Sequence, residues 1–321
     1  MAIVLDAMGG DHAPNLIVEG ALQAADQGIE IHLVGRSDEL EPLVNNHKNI
    51  TIVHADETVS MCESPSTVLR KKKSSSIGIG VGLAKELQIP FVSAGNTGAC
   101  MAAALFTFGR ISGIKRPPIA SIFPQVTSNS CVVLDVGANV DCDVENMEQF
   151  ALLGVCYAQA MLGLENPRVG LLSNGQEDKK GNQLTLEVNK VLHESSFNFI
   201  GNVEGFDVLS GACDVVVCDG FVGNVLLKTA EGILKLTRSL VKKSLPTNAH
   251  PSDDFARFIG EMSIFDPYKP IHCGAPLLGI KGHCSIVHGG ADAKTILGAC
   301  ISAERFGRSK ILDKIQDTIQ G

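Results

Sequence analysis

No stretch of about 18 apolar residues occurs in this 321-residue chain, so a membrane-spanning helix is not expected. The amino terminus lacks a basic region followed by an apolar segment, which predicts a cytoplasmic protein without a secretory leader. Cysteine is present, but not in any metal or redox spacing. Cys62, Cys100, Cys131, Cys142, Cys156, Cys213, Cys218, Cys273, Cys284 and Cys300 form no CxxC pair, and reduced, mostly buried thiols are expected. Positive charge is short as well: 27 basic residues stand against 35 acidic ones, for a net charge of −8. That balance argues against non-specific nucleic-acid binding and requires any acidic partner to find a local basic patch. GxxxxGK[ST] is missing, as are a GxGxxG after the first strand and a GxSxG elbow, which counts against nucleotide hydrolysis, dinucleotide binding and a serine nucleophile. Asp141, Asp143 and Glu145 alternate in "NVDCDVE" but lack the glycine of a calcium loop, so helix capping is the better reading and no metal or cofactor is expected.

What the chain does have is alternation. Apolar strands are expected near residues 2–6, 29–35, 49–54, 131–137, 168–172, 197–203 and 214–220, with helical stretches between them, such as 146–163. Strands apolar throughout, each followed by a helix, predict an α/β fold of three α/β/α layers around a mostly parallel sheet with both faces covered. No internal repeat and no Ser/Pro-rich linker appears. Residues 1–321 read as a single domain with room for two lobes.

In such folds ligands bind beyond the carboxyl ends of the strands, where glycine turns lead into helix amino termini. Five turns of this kind are present: "DAMGGD" (6–11), "SAGNTGA" (93–99), "DVGANVDCD" (135–143), "SNGQEDKKGN" (173–182) and "CDGFVGNVLLK" (218–228). Gly9 and Gly10 let backbone N–H groups approach an anion, and Asp11 belongs to the same turn. A tight strand-to-helix turn with Pro14 in the first helical turn is the structural alternative. Gly95, Asn96, Thr97 and Gly98 offer backbone and side-chain donors to oxygen, or a helix cap. Asn174, Lys180 and Asn182 combine amides with an ammonium, or form an exposed polar loop.

Taken together, the turns resemble the PlsX family of phosphate acyltransferases. The resemblance rests on "DAMGGDHAP", "SAGNTGA", "GRISGIKRPPIA" (109–120), "DVGANVDC", "NGQEDKKGN", "CDGFVGNVLLKTAEG" (218–232), "GAPLLGIKG" (274–282) and "HGGADAK" (288–294), in order along nearly the whole chain. Ser74 after the basic run, Lys179, Gly290 and Ala291 depart from the family pattern, which has aspartate, glycine and serines there. The resemblance implies an isocitrate/isopropylmalate dehydrogenase-like fold and a homodimer without metal, loosely membrane-associated. It also implies a reaction: inorganic phosphate attacks a long-chain acyl-acyl-carrier protein thioester, giving acyl phosphate and free carrier, an early step of bacterial phospholipid synthesis. A membrane-bound glycerol-phosphate acyltransferase is an implied partner.

Such chemistry needs little acid–base machinery, because phosphate is anionic at neutral pH and a thiolate leaves readily. The tasks are to aim phosphate and to stabilise a tetrahedral oxyanion. Gly9, Gly10, Gly95, Asn96, Thr97 and Gly98 are expected to cradle phosphate or the oxyanion, and Lys180 and Asn182 to add charge and orientation. Asp219, Asn224, Lys228 and His288 are expected to line the crevice, His288 with a proton for the departing thiolate or only a structural hydrogen bond. Arg70, Lys71, Lys72 and Lys73, with Arg110, Lys115 and Arg116, are candidate docking charge for an acidic carrier, or a solvated helix end. Ile233, Leu236 and Leu240 recur at helical spacing among lysines and arginines, which suits a membrane surface, core packing or a second subunit. Three rival readings stay open: a phosphotransacetylase-like enzyme using acyl-coenzyme A, a metal-dependent decarboxylating dehydrogenase, and a non-catalytic scaffold for lipid-synthesis enzymes.

Overall fold

A computed structural model describes residues 1–64, 72–127, 129–244 and 270–320. The chain begins with β1 (Ala2–Asp6), α1 (Asn15–Asp26), β2 (Glu30–Gly35), α2 (Ser37–Val44) and β3 (Ile50–His54). It continues through α3 (Ser76–Leu87), β4 (Phe91–Ser93), α4 (Thr97–Phe108), β5 (Ala120–Pro124) and β6 (Ser130–Leu134). Next come α5 (Val144–Tyr157), β7 (Val169–Leu172), α6 (Gln183–Glu194), β8 (Phe199–Val203), α7 (Asp207–Ser210) and β9 (Val215–Val217). The last elements are α8 (Gly220–Ser244), β10 (Ala275–Pro276), β11 (Cys284–Ile286), α9 (Ala293–Arg308) and α10 (Ile311–Gln320).

The strands form two sheets rather than one, and the chain divides into two compact units. Unit 1 comprises Met1–Ser121, Cys156–Glu165 and Pro267–Gly321; unit 2 comprises Ile122–Val155 and Asn166–Asp266. The sheet of unit 1 has the order β10-β11-β4-β1-β2-β3. β1 pairs parallel with β2 and β4, and β4 with β11, while β10 runs antiparallel at the edge. Alternate residues face opposite sides of a strand. Ile3, Leu5, Ile31, Leu33 and Val92 therefore bury one face with Ile17 and Ala21 of α1 and Ile296 and Ala299 of α9. Helices α1 and α9 approach closely because position 20 has no side chain: a Cβ on Gly20 would stand 2.6 Å from Ala293 O. The opposite face is covered by α3, where Gly80 fits against the Phe91 ring.

Unit 2 holds the sheet of order β5-β6-β9-β7-β8, with β6–β9, β9–β7 and β7–β8 parallel. Its strands read "SCVVL", "VVV" and "VGLL" because both faces are buried, and Phe150 and Leu153 of α5 and Val188 and Leu192 of α6 are buried with them. The helix expected over 146–163 is α-helical through Tyr157, then widens into a π-helix over Ala158–Leu162 that ends at Gly163 in the left-handed region. Strands β5, β10 and β11 were not expected from sequence. β10 and β11 have two and three residues, too few for a period to show.

Thiol placement matches expectation: Cys62 is exposed, Cys142 intermediate, the other eight are buried, and none is in a disulfide. Among the described residues no helix is long and apolar enough to cross a membrane. No cluster of three metal-ligating side chains occurs among them either, and Asp143 caps α5 by accepting from Asn146 N at 2.8 Å.

His283, at the start of β11, is buried against Phe306 with ring centroids 3.9 Å apart and neither ring nitrogen hydrogen-bonded. Burial holds its pKa down at about 3, against an ordinary 6.5. The folded state thus resists a proton that the unfolded chain accepts, so stability is complete above about pH 6.5 and falls below it. The slope from this one site is about 1.4 kcal/mol per pH unit. The wild-type denaturant midpoint minus that of His283→Leu is expected to fall between pH 7 and pH 5; a constant difference would contradict it.

Candidate active site

The carboxyl ends of β1, β4 and β11 bring three turns of unit 1 together. Their common support is Asp6, the last residue of β1 and wholly buried. Ser93 Oγ donates to Asp6 Oδ2 at 2.7 Å and Met8 N to Oδ1 at 3.0 Å; Ser76 and the Gly9 amide donate as well. Burial pushes the Asp6 carboxyl above its ordinary range, and these four donors offset part of that rise. All four partners donate, as an ionised carboxylate requires. Ser93 Oγ in turn accepts from Gly95 N at 3.0 Å, so one carboxylate fixes both the Gly9 and the Gly95 turns. The turns touch: a Cβ on Gly9 would lie 2.6 Å from both Asp6 Oδ2 and Gly95 N. Gly10 has φ +106°, a left-handed conformation that favours glycine, and its open side faces Gly289 O at 3.0 Å. Asp11 N closes the third turn by donating to Gly289 O at 2.7 Å.

Asn96 caps α4, accepting from Ala99 N at 2.9 Å, and its amide Nδ2 donates to Ser60 O, Met61 O and Glu63 O at 2.9–3.2 Å. The side chain is therefore committed to structure, not to a ligand as expected. The N–H groups of Thr97 and Gly98, in the first turn of α4, have no acceptor within the helix and lie at its positive end. His288 is exposed, and Gly290 N donates to its Nδ1 at 3.0 Å, which places the neutral ring's proton on Nε2. Cys100 joins this network through Ser93, but burial pushes its thiol up to about 12, too high for a nucleophile.

Unit 2 repeats the device. Asp135 follows β6 as a buried residue and accepts from Gly137 N, Ala138 N, Asn139 N and Asn139 Nδ2 at 2.6–3.1 Å. Those N–H groups point at Asp135, so this turn is not an anion cradle. Gly223 must stay glycine, because a Cβ there would fall on the Asp135 carbonyl oxygen. Asp219 Oδ1 accepts from Phe221 N and Val222 N, both at 2.9 Å. The Asp219 carboxylate, expected to line the crevice, thus caps α8 and occupies the helix end where a phosphate would sit. Asn224 lies beside Gly137, and exposed Lys228 pairs with Glu231 at 2.9 Å. Asn182 caps α6 through Thr185 N at 2.9 Å, and Lys180 is exposed in the preceding turn with Asn174 at its start.

Among the described residues the basic candidates do not form one patch. Arg70 and Lys71 lie outside the described residues. Lys72 Nζ pairs with Glu63 Oε1 at 2.8 Å and donates to Thr58 O at 2.8 Å, whereas Lys73 is exposed. Arg110, Lys115 and Arg116 are exposed near the other end of α4, where Lys281 N donates to Gly109 O; the 12-residue helix separates them from the Asn96 turn by about 18 Å. Asp6, Ser76, Ser93 and Asp135 were missed in sequence. The available signal was an aspartate ending an otherwise apolar strand, in "IVLD" and "VVLD".

This architecture is a known one. A phosphotransacetylase from Streptococcus pyogenes superposes with TM-score 0.63 at 18% identity, over 95% of this chain and 94% of that one. A branched-chain phosphotransacylase from Enterococcus faecalis gives 0.59 at 15% identity, over 96% and 99%. The shared class is a mixed α/β fold with mostly parallel sheets. In sequence, residues 1–314 match the pattern of the fatty acid synthesis protein family, and the chain belongs to that family. The phosphate acyltransferase of Trichlorobacter lovleyi is 44% identical, over 99% of this chain and 94% of its own. That of Thermoanaerobacter pseudethanolicus is 43% identical, over 100% and 98%. The resemblance read from the motifs is thereby borne out: the protein is an enzyme of the acyltransferase class.

Gly9→Ala is expected to force the Asp6–Gly95 contact apart, costing about 1–3 kcal/mol by overpacking and at least tenfold in kcat/KM. Urea unfolding and turnover of the variant check both; a wild-type value for either would contradict the fit described.

Proposed function

We propose that the chain transfers a long-chain acyl group from acyl-carrier protein to inorganic phosphate. A phosphate oxygen attacks the thioester carbonyl carbon, a tetrahedral oxyanion forms, the C–S bond breaks with its electron pair on sulfur, and the thiolate takes a proton. The observation that carries this reading is the cradle of unit 1: Thr97 and Gly98 N–H groups at a helix amino terminus, on a turn pinned by buried Asp6, beside His288. Phosphate suits that end because helix N–H groups and the macrodipole favour negative charge. His288 Nε2–H is assigned to hydrogen-bond phosphate or the oxyanion and to pass a proton to the thiolate. Lys180 is assigned a charge-supplying role, and Asn182 the cap that orders its turn. The names and family of the relatives support phosphate as acceptor. The long-chain carrier thioester as donor, the isocitrate/isopropylmalate dehydrogenase-like classification and the absence of a metal rest on the motif resemblance.

Purified protein given palmitoyl-carrier protein and labelled phosphate, without added metal or nucleotide, is expected to release hydroxylamine-sensitive acyl phosphate and free thiol in equal amounts. Lys180→Ala is expected to lower turnover at least tenfold. Product only with palmitoyl-coenzyme A would favour the coenzyme A reading, and no product beside retained carrier binding would favour a scaffold.

Helix α8 supports a second contact. Val222, Val225, Ile233, Leu236 and Leu240 recur at helical spacing, and Ile233, Leu236 and Leu240 are each more than half exposed, at 58%, 59% and 54%. We assign the last three residues to an anionic membrane surface. Replacing them by serine is expected to abolish co-sedimentation with phosphatidylglycerol vesicles. Unchanged pelleting would remove the assignment, and a shift from dimer to monomer would give the face to a second copy of the chain.

A further inference from the structure

We infer that Met61 is the acyl-contacting, specificity-determining residue of the unit 1 cradle, an inference that rests on the phosphate acyltransferase reading above. Met61 sits on a strap over residues 57–63 that hydrogen bonds within unit 1 hold in place. Ser76 N donates to Glu57 O at 3.0 Å and Ser74 Oγ to Glu57 Oε2 at 2.8 Å. Ser60 N donates to Glu63 Oε2 at 2.7 Å. Lys72 adds its bonds to Thr58 O and Glu63, and Asn96 Nδ2 its bonds to the carbonyls of Ser60, Met61 and Glu63. Lys72 and the Ser60 amide also hold the Glu63 carboxyl below its ordinary range. The strap directs Val59 inward, where it is buried, and leaves Met61 48% exposed.

A large apolar side chain held outward by so ordered a loop gains little for the fold. Its position supplies the reason. A Cβ on Gly289 would come within 3.1 Å of Met61 Cε, and one on Gly10 within 3.0 Å of Gly289 O, so the Met61 methyl overlooks the place where the glycine turns meet. Asp11 and His288, the exposed side chains that stand beside Gly290 at that junction, are polar. An acyl group whose carbonyl is held by the cradle must carry its first methylenes past this rim, and among the described residues Met61 offers an apolar surface there. Methionine suits the task, since its unbranched thioether adapts to chains of differing length. The strap also explains why Asn96 and Lys72 are consumed by structure: they position Met61.

The test compares palmitoyl-carrier protein with acetyl-carrier protein, whose acyl group has no methylene to carry past the rim, so that carrier docking cancels. In Met61→Ala the kcat/KM ratio of long to short chain is expected to fall about tenfold, as loss of one apolar contact implies, with KM for phosphate unmoved. Met61→Leu is expected to restore the ratio. A ratio that stays at the wild-type value in Met61→Ala, or equal losses on both chains, would overturn the assignment. Wild-type enzyme inert toward both thioesters would overturn the parent reading instead, and this inference with it.

Discussion

A buried carboxylate at the end of a strand is the constraint on which the site depends. An ionised group taken out of water is costly unless every lone pair finds a donor. Asp6 meets that demand with Ser93, Ser76 and the amides of Met8 and Gly9, and the demand shapes everything around it. Two amides must turn inward, which forces a tight turn. Ser93 must be spent on Asp6 and so accepts from Gly95, which brings the next turn alongside. No Cβ then fits at position 9. Asp135 solves the same problem in unit 2 with three successive amides.

That accounting separates scaffold from ligand site. Amides that serve Asp6 or Asp135 cannot serve phosphate, and the α8 amides are occupied by the Asp219 carboxylate. The α4 and α6 ends differ because their caps, Asn96 and Asn182, are neutral. A neutral cap satisfies one amide and leaves the field of the helix end for an incoming anion. Within unit 1 this points to Thr97 and Gly98, with His288 presenting Nε2–H. Chemistry of this kind asks for placement more than for strong acids and bases, which fits cysteines pushed up by burial, Cys100 among them.

Much of the fold was legible in sequence because both sheets are buried on two faces. Continuous apolar runs such as "AIVLD" and "CVVL" announce parallel strands, and glycine turns mark their ends. Two sheets in place of one were not legible, since strand neighbours are a matter of topology and the short β10 and β11 have no readable period. The site was legible as a set of turns but not as a set of roles. Asn96, Lys72 and Asp219 have the residue types of ligands, yet their hydrogen-bond partners, Met61 O, Glu63 and the Phe221 amide, claim them for structure. Asp6 and Asp135 were hidden for the converse reason: an aspartate closing an apolar strand looks like the first residue of a loop, and only burial shows what it holds.

The central claim is that Asp6 builds the phosphate cradle. Asp6→Asn keeps the size and exchanges two acceptor oxygens for one acceptor and one donor, which cannot accept from all four partners. Phosphate titrated into wild type and Asp6→Asn by isothermal calorimetry, with circular dichroism to confirm folding, tests it directly. At least tenfold weaker binding in a folded variant is the predicted result; equal affinity in the two proteins would contradict it.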